Sequence, residues 1–226
     1  MKLIILAAGE GVRMRPLTLT VPKPLLIYRG KTALDHIFSK LPNEITEVII
    51  SVNYLGEKIK SHCGNEFYGR KISYVQGDSK GNALGFLAMK NFFINKERFM
   101  VMYADDVLTQ KEIDDCLAHE YSWLCYPVKN IHEVGIVTKG DTGFVESFVE
   151  KPTKSDSNLA ANGCMVVNAD IFDFTPVMHA KGEYYFSDLM AQFTKRYAVY
   201  AVIGDEHHMQ LTSPKDIDFL NSTNEY

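Results

Sequence analysis

The chain opens Met1-Lys-Leu-Ile-Ile-Leu-Ala-Ala-Gly-Glu-Gly-Val-Arg-Met-Arg-Pro-Leu-Thr18 and runs on to Pro22-Lys23-Pro24. The apolar run 3–8 has the length and composition of a strand buried on both faces, and it breaks directly into a glycine-rich loop. Gly9 and Gly11 let the main chain approach an anion and turn N–H groups toward it. Arg13, Arg15 and Lys23 gather three cations in one short stretch, which is self-repulsive unless something negative sits among them. A strand feeding such a loop predicts a nucleoside triphosphate site.

Two familiar glycine motifs do not fit. A P-loop requires Gly, four residues and then Gly-Lys with a hydroxyl residue, and no such run occurs. The dinucleotide fingerprint requires a third glycine at position 14, which is Met14. The observed pattern, Gly-x-Gly-x-Arg-x-x-Pro-x-Thr followed by Pro-Lys-Pro, resembles the signature of the sugar-1-phosphate nucleotidyltransferases, the family that makes nucleotide sugars. The resemblance implies nucleotide-binding roles for Leu6, Ala8, Gly9 and Gly11 and a catalytic role for Arg13 and Lys23.

Composition narrows the class in the same direction. With 226 residues, 46% hydrophobic and 23% charged, the chain can bury a full core, and it shows no low-complexity tract, internal repeat or linker. A net charge of −4 supplies no basic stripe for nucleic acid, so anion binding must be local. Cys63, Cys116, Cys125 and Cys164 are scattered without a Cys-x-x-Cys pair, which predicts reduced thiols rather than a zinc site or disulfide framework. No stretch has the length of a membrane span or signal segment, and the expectation is one cytoplasmic catalytic domain over 1–226.

Further strands are predicted at 48–53, 72–76 and 99–103, with helices at 33–41, 55–63 and 85–93; in the last, Phe86, Met89, Lys90 and Phe93 recur at helical spacing. This alternation predicts an α/β fold with a doubly wound, mostly parallel sheet, Rossmann-like in plan. Ligands in that architecture bind beyond the carboxyl ends of the strands. The stretches 135–137 and 143–150 read as a hairpin around Gly140-Asp141, and 163–168 reads as one more strand.

Three later motifs follow strand ends. In Tyr74-Val-Gln-Gly-Asp-Ser-Lys-Gly-Asn82, the resemblance assigns Gln76 to the edge of the base, with Gly81 and Asn82 packed beneath it. One amide offers both a donor and an acceptor to a planar base edge. Phe99-Met-Val-Met-Tyr-Ala-Asp-Asp106 delivers two adjacent carboxylates, and hard oxygens at a strand end suit a magnesium ion that bridges phosphates. By the resemblance Asp105 is the metal ligand and Tyr103 lies on the nucleotide. Asp106 is then a turn or helix-start carboxylate on the opposite side of the chain.

Phe148-Val-Glu-Lys-Pro152, with Asn162-Gly163 after it, matches the family's sugar-phosphate pocket. The resemblance gives Glu150 to the sugar hydroxyls, Lys151 to the 1-phosphate, Asn162 to the sugar, and Gly135 to a close main-chain approach. Gly182-Glu-Tyr-Tyr-Phe-Ser-Asp188 is read as structural, with Ser187 and Asp188 capping a helix.

The chain departs from the family pattern twice. Val12 stands where a Thr is common, and Gln210 stands where a second metal-binding aspartate is frequent, with Asp205 or Glu206 as possible substitutes. His207 and His208 are poor magnesium ligands. The implied chemistry is attack of a sugar-1-phosphate oxygen on the α-phosphorus, with Mg2+ held by Asp105, pyrophosphate by Arg13 and the loop amides, the α-phosphate by Lys23 and the incoming phosphate by Lys151. A choline-phosphate cytidylyltransferase and a silent nucleotide-sugar binder are the competing readings.

Overall fold

The computed structural model describes residues 1–180, 182–205 and 208–223. Its centre is a ten-stranded sheet. The strand Lys2–Leu6 lies between Glu47–Val52 and Arg98–Tyr103, parallel to both, and Arg70–Gln76 continues the parallel set beyond Glu47–Val52. On the other side Leu159–Asn168 joins Arg98–Tyr103 antiparallel and carries the hairpin Gly135–Lys139 and Val145–Glu150. Ser122–Pro127 also pairs with Leu159–Asn168 and holds Tyr200–Ile203 in parallel. The predicted hairpin turn is present, closed by Gly140 N–H to the Phe144 carbonyl at 2.9 Å.

The apolar runs are continuous because both faces of the parallel strands are covered. Leu3, Ile5, Val48, Ile50, Met100 and Met102 point to one face, where the helices Ala33–Lys40, Gly56–Cys63 and Gln110–Leu117 pack. Ile4, Ile49, Phe99 and Val101 point to the other, under the helices Asn82–Leu87 and Phe186–Arg196. This is the doubly wound plan read from the alternation of elements. On the second face Phe86 stacks on Phe172 at 4.7 Å and meets Phe186 edge-on at 4.5 Å, anchoring the two helices to each other.

Two local expectations are corrected. The helix expected at 85–93 spans Asn82–Leu87 and gives way to a 3-10 turn at Lys90–Phe92, so Phe86 and Met89 are buried as the spacing implied but the helix starts three residues earlier. Ser187 and Asp188 do not cap the late helix. It begins at Phe186, whose N–H is received at 2.8 Å by the side-chain carbonyl of Asn82. Asp188, inside the first turn, instead accepts from His179 at 2.9 Å. No helix among the described residues is long and apolar enough to cross a membrane.

Candidate active site

The carboxyl ends of the central strands open into a cleft of about 620 Å³, the position that an open α/β sheet reserves for ligands. Its walls include Leu6, Ala8, Gly9, Gly11, Arg13, Lys23, Gly81, Asn82, Tyr103 and Asp105. Residues from three separated segments therefore meet as the strand order requires. Gly11 takes a left-handed conformation, φ 62°, and its carbonyl is held by the Thr18 hydroxyl at 2.8 Å. With that carbonyl tied back, loop N–H groups are free to face the cleft. Arg13 is exposed, and Arg15 turns to Glu10 at 3.4 Å.

Lys23 and Asp105 form a direct ion pair, Nζ to Oδ2, with side chains 13% and 24% exposed. Tyr103, the last residue of its strand and two positions before Asp105, is half-buried. Burial pushes its phenol pKa up, and the nearby carboxylates of Asp106, Asp105 and Glu150 push the same way. The strand ends at Tyr103, and Asp106 belongs to a separate short strand, Asp106–Val107; it does not line the cleft and is far more enclosed than a turn carboxylate. Burial raises its pKa above the ordinary carboxyl value, and the charge of Asp105 adds to the shift.

Gly81 is fixed by its surroundings. Its φ is 121°, and a Cβ there would lie 2.2 Å from the Tyr184 carbonyl oxygen. Main-chain bonds from Tyr184 N–H to the Lys80 carbonyl, 2.7 Å, and from Ala83 N–H to the Tyr184 carbonyl, 3.2 Å, dock the turn around Gly182 onto this loop. Asn82 lines the cleft, but its side-chain oxygen serves Phe186 rather than a ligand. Gln76, at the end of its strand, is exposed and donates to Asn53 Oδ1 at 2.9 Å.

The residues matched to the sugar pocket are not among those lining this cleft. Glu150 and Gly135 face each other across the hairpin, and a Cβ on Gly135 would collide with the Phe148 ring at 2.4 Å. The Phe148 ring, which itself stacks on Trp123 at 5.2 Å, is thus enough by itself to require a glycine at position 135. Lys151 adopts φ 46° with its ammonium 3.8 Å from Glu150. Asn162 turns its amide to His208 Nε2 and to the N–H of Gly163, so its side chain is already engaged. Asp205 is held through its N–H by Glu112 at 3.2 Å, and Glu206 and His207 lie outside the described residues.

Sequence reading passed over Asn53, Asp78, Ser79, Glu183 and Thr212, all of which line the cleft. The strand-end rule singles out Asn53, which directly follows Glu47–Val52. Glu183 was hidden inside a segment read as structural. Among the described residues no group of three or more His, Cys, Asp or Glu side chains is arranged to hold a metal by itself. The donors present fit magnesium, which needs few protein oxygens when phosphates complete its shell: the Asp105 carboxylate and the Gln210 amide both line the cleft.

A family model described as nucleotidyl transferase matches residues 2–208. The bifunctional protein GlmU of Methanocaldococcus jannaschii is 31% identical over 174 residues, covering 76% of this chain and 41% of that protein. The UTP–glucose-1-phosphate uridylyltransferase AglF of Haloferax volcanii is 30% identical over 211 residues, covering 83% of this chain and 81% of AglF. The chain thus spans about half the length of the bifunctional relatives it matches, 54% for one from Methanococcus maripaludis. A solved UDP-glucose pyrophosphorylase with UDP-glucose bound shares the fold at TM-score 0.80 and 20% identity, covering 98% of this chain and 97% of the other. The glycine loop, the lysine and aspartate paired in the cleft and these matches together place the chain in the nucleotidyl transferase family.

Proposed function

We propose that the protein transfers a nucleotidyl group from a nucleoside triphosphate to a sugar-1-phosphate, releasing pyrophosphate and a nucleoside diphosphate sugar. The observation that carries this reading is the Lys23–Asp105 pair set beside the Gly9–Gly11 loop in one cleft. A glycine loop alone binds many anions; a cation and a hard carboxylate at its edge supply what charge transfer at phosphorus requires.

In this mechanism a sugar-1-phosphate oxygen attacks the α-phosphorus in line. The bond to the β-phosphate oxygen breaks, and that oxygen leaves on pyrophosphate. The nucleophile is already an anion, so the protein contributes position and neutralisation and no general base. Arg13 and the loop amides hold the departing pyrophosphate, Lys23 holds the α-phosphate, and Lys151 holds the incoming 1-phosphate. Glu150 accepts from sugar hydroxyls, and Gln76 meets the base edge. Asp105, with Gln210 near it, would hold a magnesium ion, which when bound neutralises phosphate charge and draws electrons from phosphorus. The four buried, unpaired thiols suit a reducing compartment, in keeping with a cytoplasmic enzyme.

The test is pyrophosphate release with ATP, GTP, CTP, UTP and dTTP, each against a panel of sugar-1-phosphates and against phosphocholine. Release that depends on a sugar-1-phosphate is expected. Release with CTP and phosphocholine alone would reassign the protein to choline-phosphate transfer, and nucleotide-sugar binding without release would make it a silent binder.

A further inference from the structure

Asp106 follows Asp105 directly, yet the two carboxylates have different surroundings. Asp105 lines the cleft, whereas the Asp106 side chain is wholly shielded from solvent. A carboxyl group in such a place is costly unless its lone pairs are met. The proposed mechanism makes no use of it.

Its placement is set by a short antiparallel ladder. Asp106–Val107 pairs with Met209–Gln210, so that Asp106 stands opposite Gln210, and Leu211 N–H donates to the Asp105 carbonyl at 2.8 Å. Residues opposite one another in a ladder project from the same face. Gln210 Nε2 accordingly donates to Asp106 Oδ1 at 3.0 Å. Asp106 Oδ2 has no partner among the described residues. Room for it exists because position 163 is glycine: a Cβ there would stand 2.3 Å from Oδ2 and 2.4 Å from the Tyr103 ring.

His208 stands beside the same carboxylate, but farther from it than Gln210 does. Asn162 Oδ1 receives the Gly163 N–H, which turns Asn162 Nδ2 toward His208 Nε2. That nitrogen lies 3.7 Å from Asp106 Oδ1, beyond hydrogen-bond reach, which leaves Gln210 as the side-chain donor in direct contact. Asp106 Oδ1 accepts whether the group is ionised or carries its proton on Oδ2. In either state it takes the NH2 end of the Gln210 amide, and the carbonyl end is what remains to face the cleft that Gln210 lines.

We propose that Asp106 is a positioning residue: by holding the NH2 of Gln210 it keeps the Gln210 carbonyl oxygen beside Asp105 as a neutral second ligand for the divalent cation. This inference rests on the metal role assigned to Asp105 above. It explains how an amide can stand in a metal site without swinging its donor end toward the cation. Ligand-orienting partners of this kind typically change metal affinity by about tenfold to a hundredfold when removed.

The experiment titrates Mn2+ into protein loaded with the triphosphate it turns over and reads free Mn2+ by electron paramagnetic resonance. Asp106→Asn, which can present either end of its own amide to Gln210, should weaken Mn2+ binding about tenfold. Gln210→Met should match that loss, and the double variant should lose no more than the larger single, because one contact is being removed twice. Asp106→Asn with Gln210→Glu, which restores a hydrogen bond with a carboxylate on the cleft side, should recover affinity to within about threefold. Wild-type Mn2+ affinity in folded Asp106→Asn, or losses that add in the double variant, would overturn the inference; if Asp106→Asn does not fold, wild-type affinity in Gln210→Met does so. Asp105→Asn separates the two levels: intact Mn2+ binding there overturns the metal role itself. Loss there with intact binding in Asp106→Asn overturns only the positioning role.

Discussion

Removing the Lys23 ammonium separates catalysis from stability more cleanly than any other change in the cleft. Lys23 and Asp105 pair with each other, and their side chains keep 13% and 24% of their exposure. When Lys23 becomes Met, Asp105 can still be reached by water, so the loss of the pair should cost only about 0–1 kcal/mol. For a chain of this length that lowers Tm by at most about 4 °C. During transfer the same ammonium faces charge developing at the α-phosphate, where a charge-assisted contact contributes about 1.5 to 3 kcal/mol. Turnover should therefore fall roughly tenfold to a hundredfold, with a smaller change in KM for the triphosphate. Pyrophosphate release at saturating substrates measures the first effect and differential scanning fluorimetry the second. A Tm drop beyond about 8 °C, or a KM rise with unchanged kcat, would refute the assignment: the first would make Lys23 a structural partner of Asp105, the second a ground-state binder.

Lys151→Ala should raise KM for the sugar phosphate about tenfold or more with little effect on that for the triphosphate; unchanged sugar-phosphate saturation removes the Glu150-Lys151 motif from the acceptor site. Gly81→Ala should destabilise by about 1–3 kcal/mol and depress activity, because the added methyl meets the Tyr184 main chain at 2.2 Å in a conformation with φ 121°; a variant with wild-type melting would disprove the clamp. Asp35→Ala should cost about 1 kcal/mol, since Asp35 and Thr32 form a reciprocal capping box on the helix Ala33–Lys40. Burial tends to raise the Asp35 carboxyl, but the two Thr32 hydrogen bonds outweigh it and leave the pKa below 3.8. The folded state thus favours the carboxylate, so the contribution is full above the unfolded Asp pKa and is lost as pH falls through the lowered folded value; urea melts of wild type and variant should converge only in that acid range.

The sheet and the meeting of the glycine loop with Asp105 in one cleft were legible because both depend on short-range pattern. Leu3 to Ile5 is apolar at every position as a two-faced buried strand demands, and the glycine loop and Asp105 follow their strands directly in sequence. What was not legible depends on contacts between distant segments. Nothing near Phe186 announces that Asn82, 104 positions away, will cap its helix. Asp106 gives no local sign of its burial, which arises from a ladder with Met209–Gln210. Gly135 was read for the space a missing side chain leaves, but the sequence does not say that the Phe148 ring fills it.

The Asn82 bridge ties the wall of the cleft to the last third of the chain. Its side-chain oxygen receives the first N–H of the helix Phe186–Arg196, and that helix covers one face of the sheet through Leu189, Met190 and Phe193. A substitution at position 82 would therefore weaken the start of a helix belonging to the far end of the chain, by about 0.5–2 kcal/mol. Gln76 and Asn53 are both exposed, and the bond their side-chain amides make among the described residues is to each other. On the proposed reading of Gln76 at the base edge, a change of base would have its open route through that pair, which sits at the ends of two neighbouring strands.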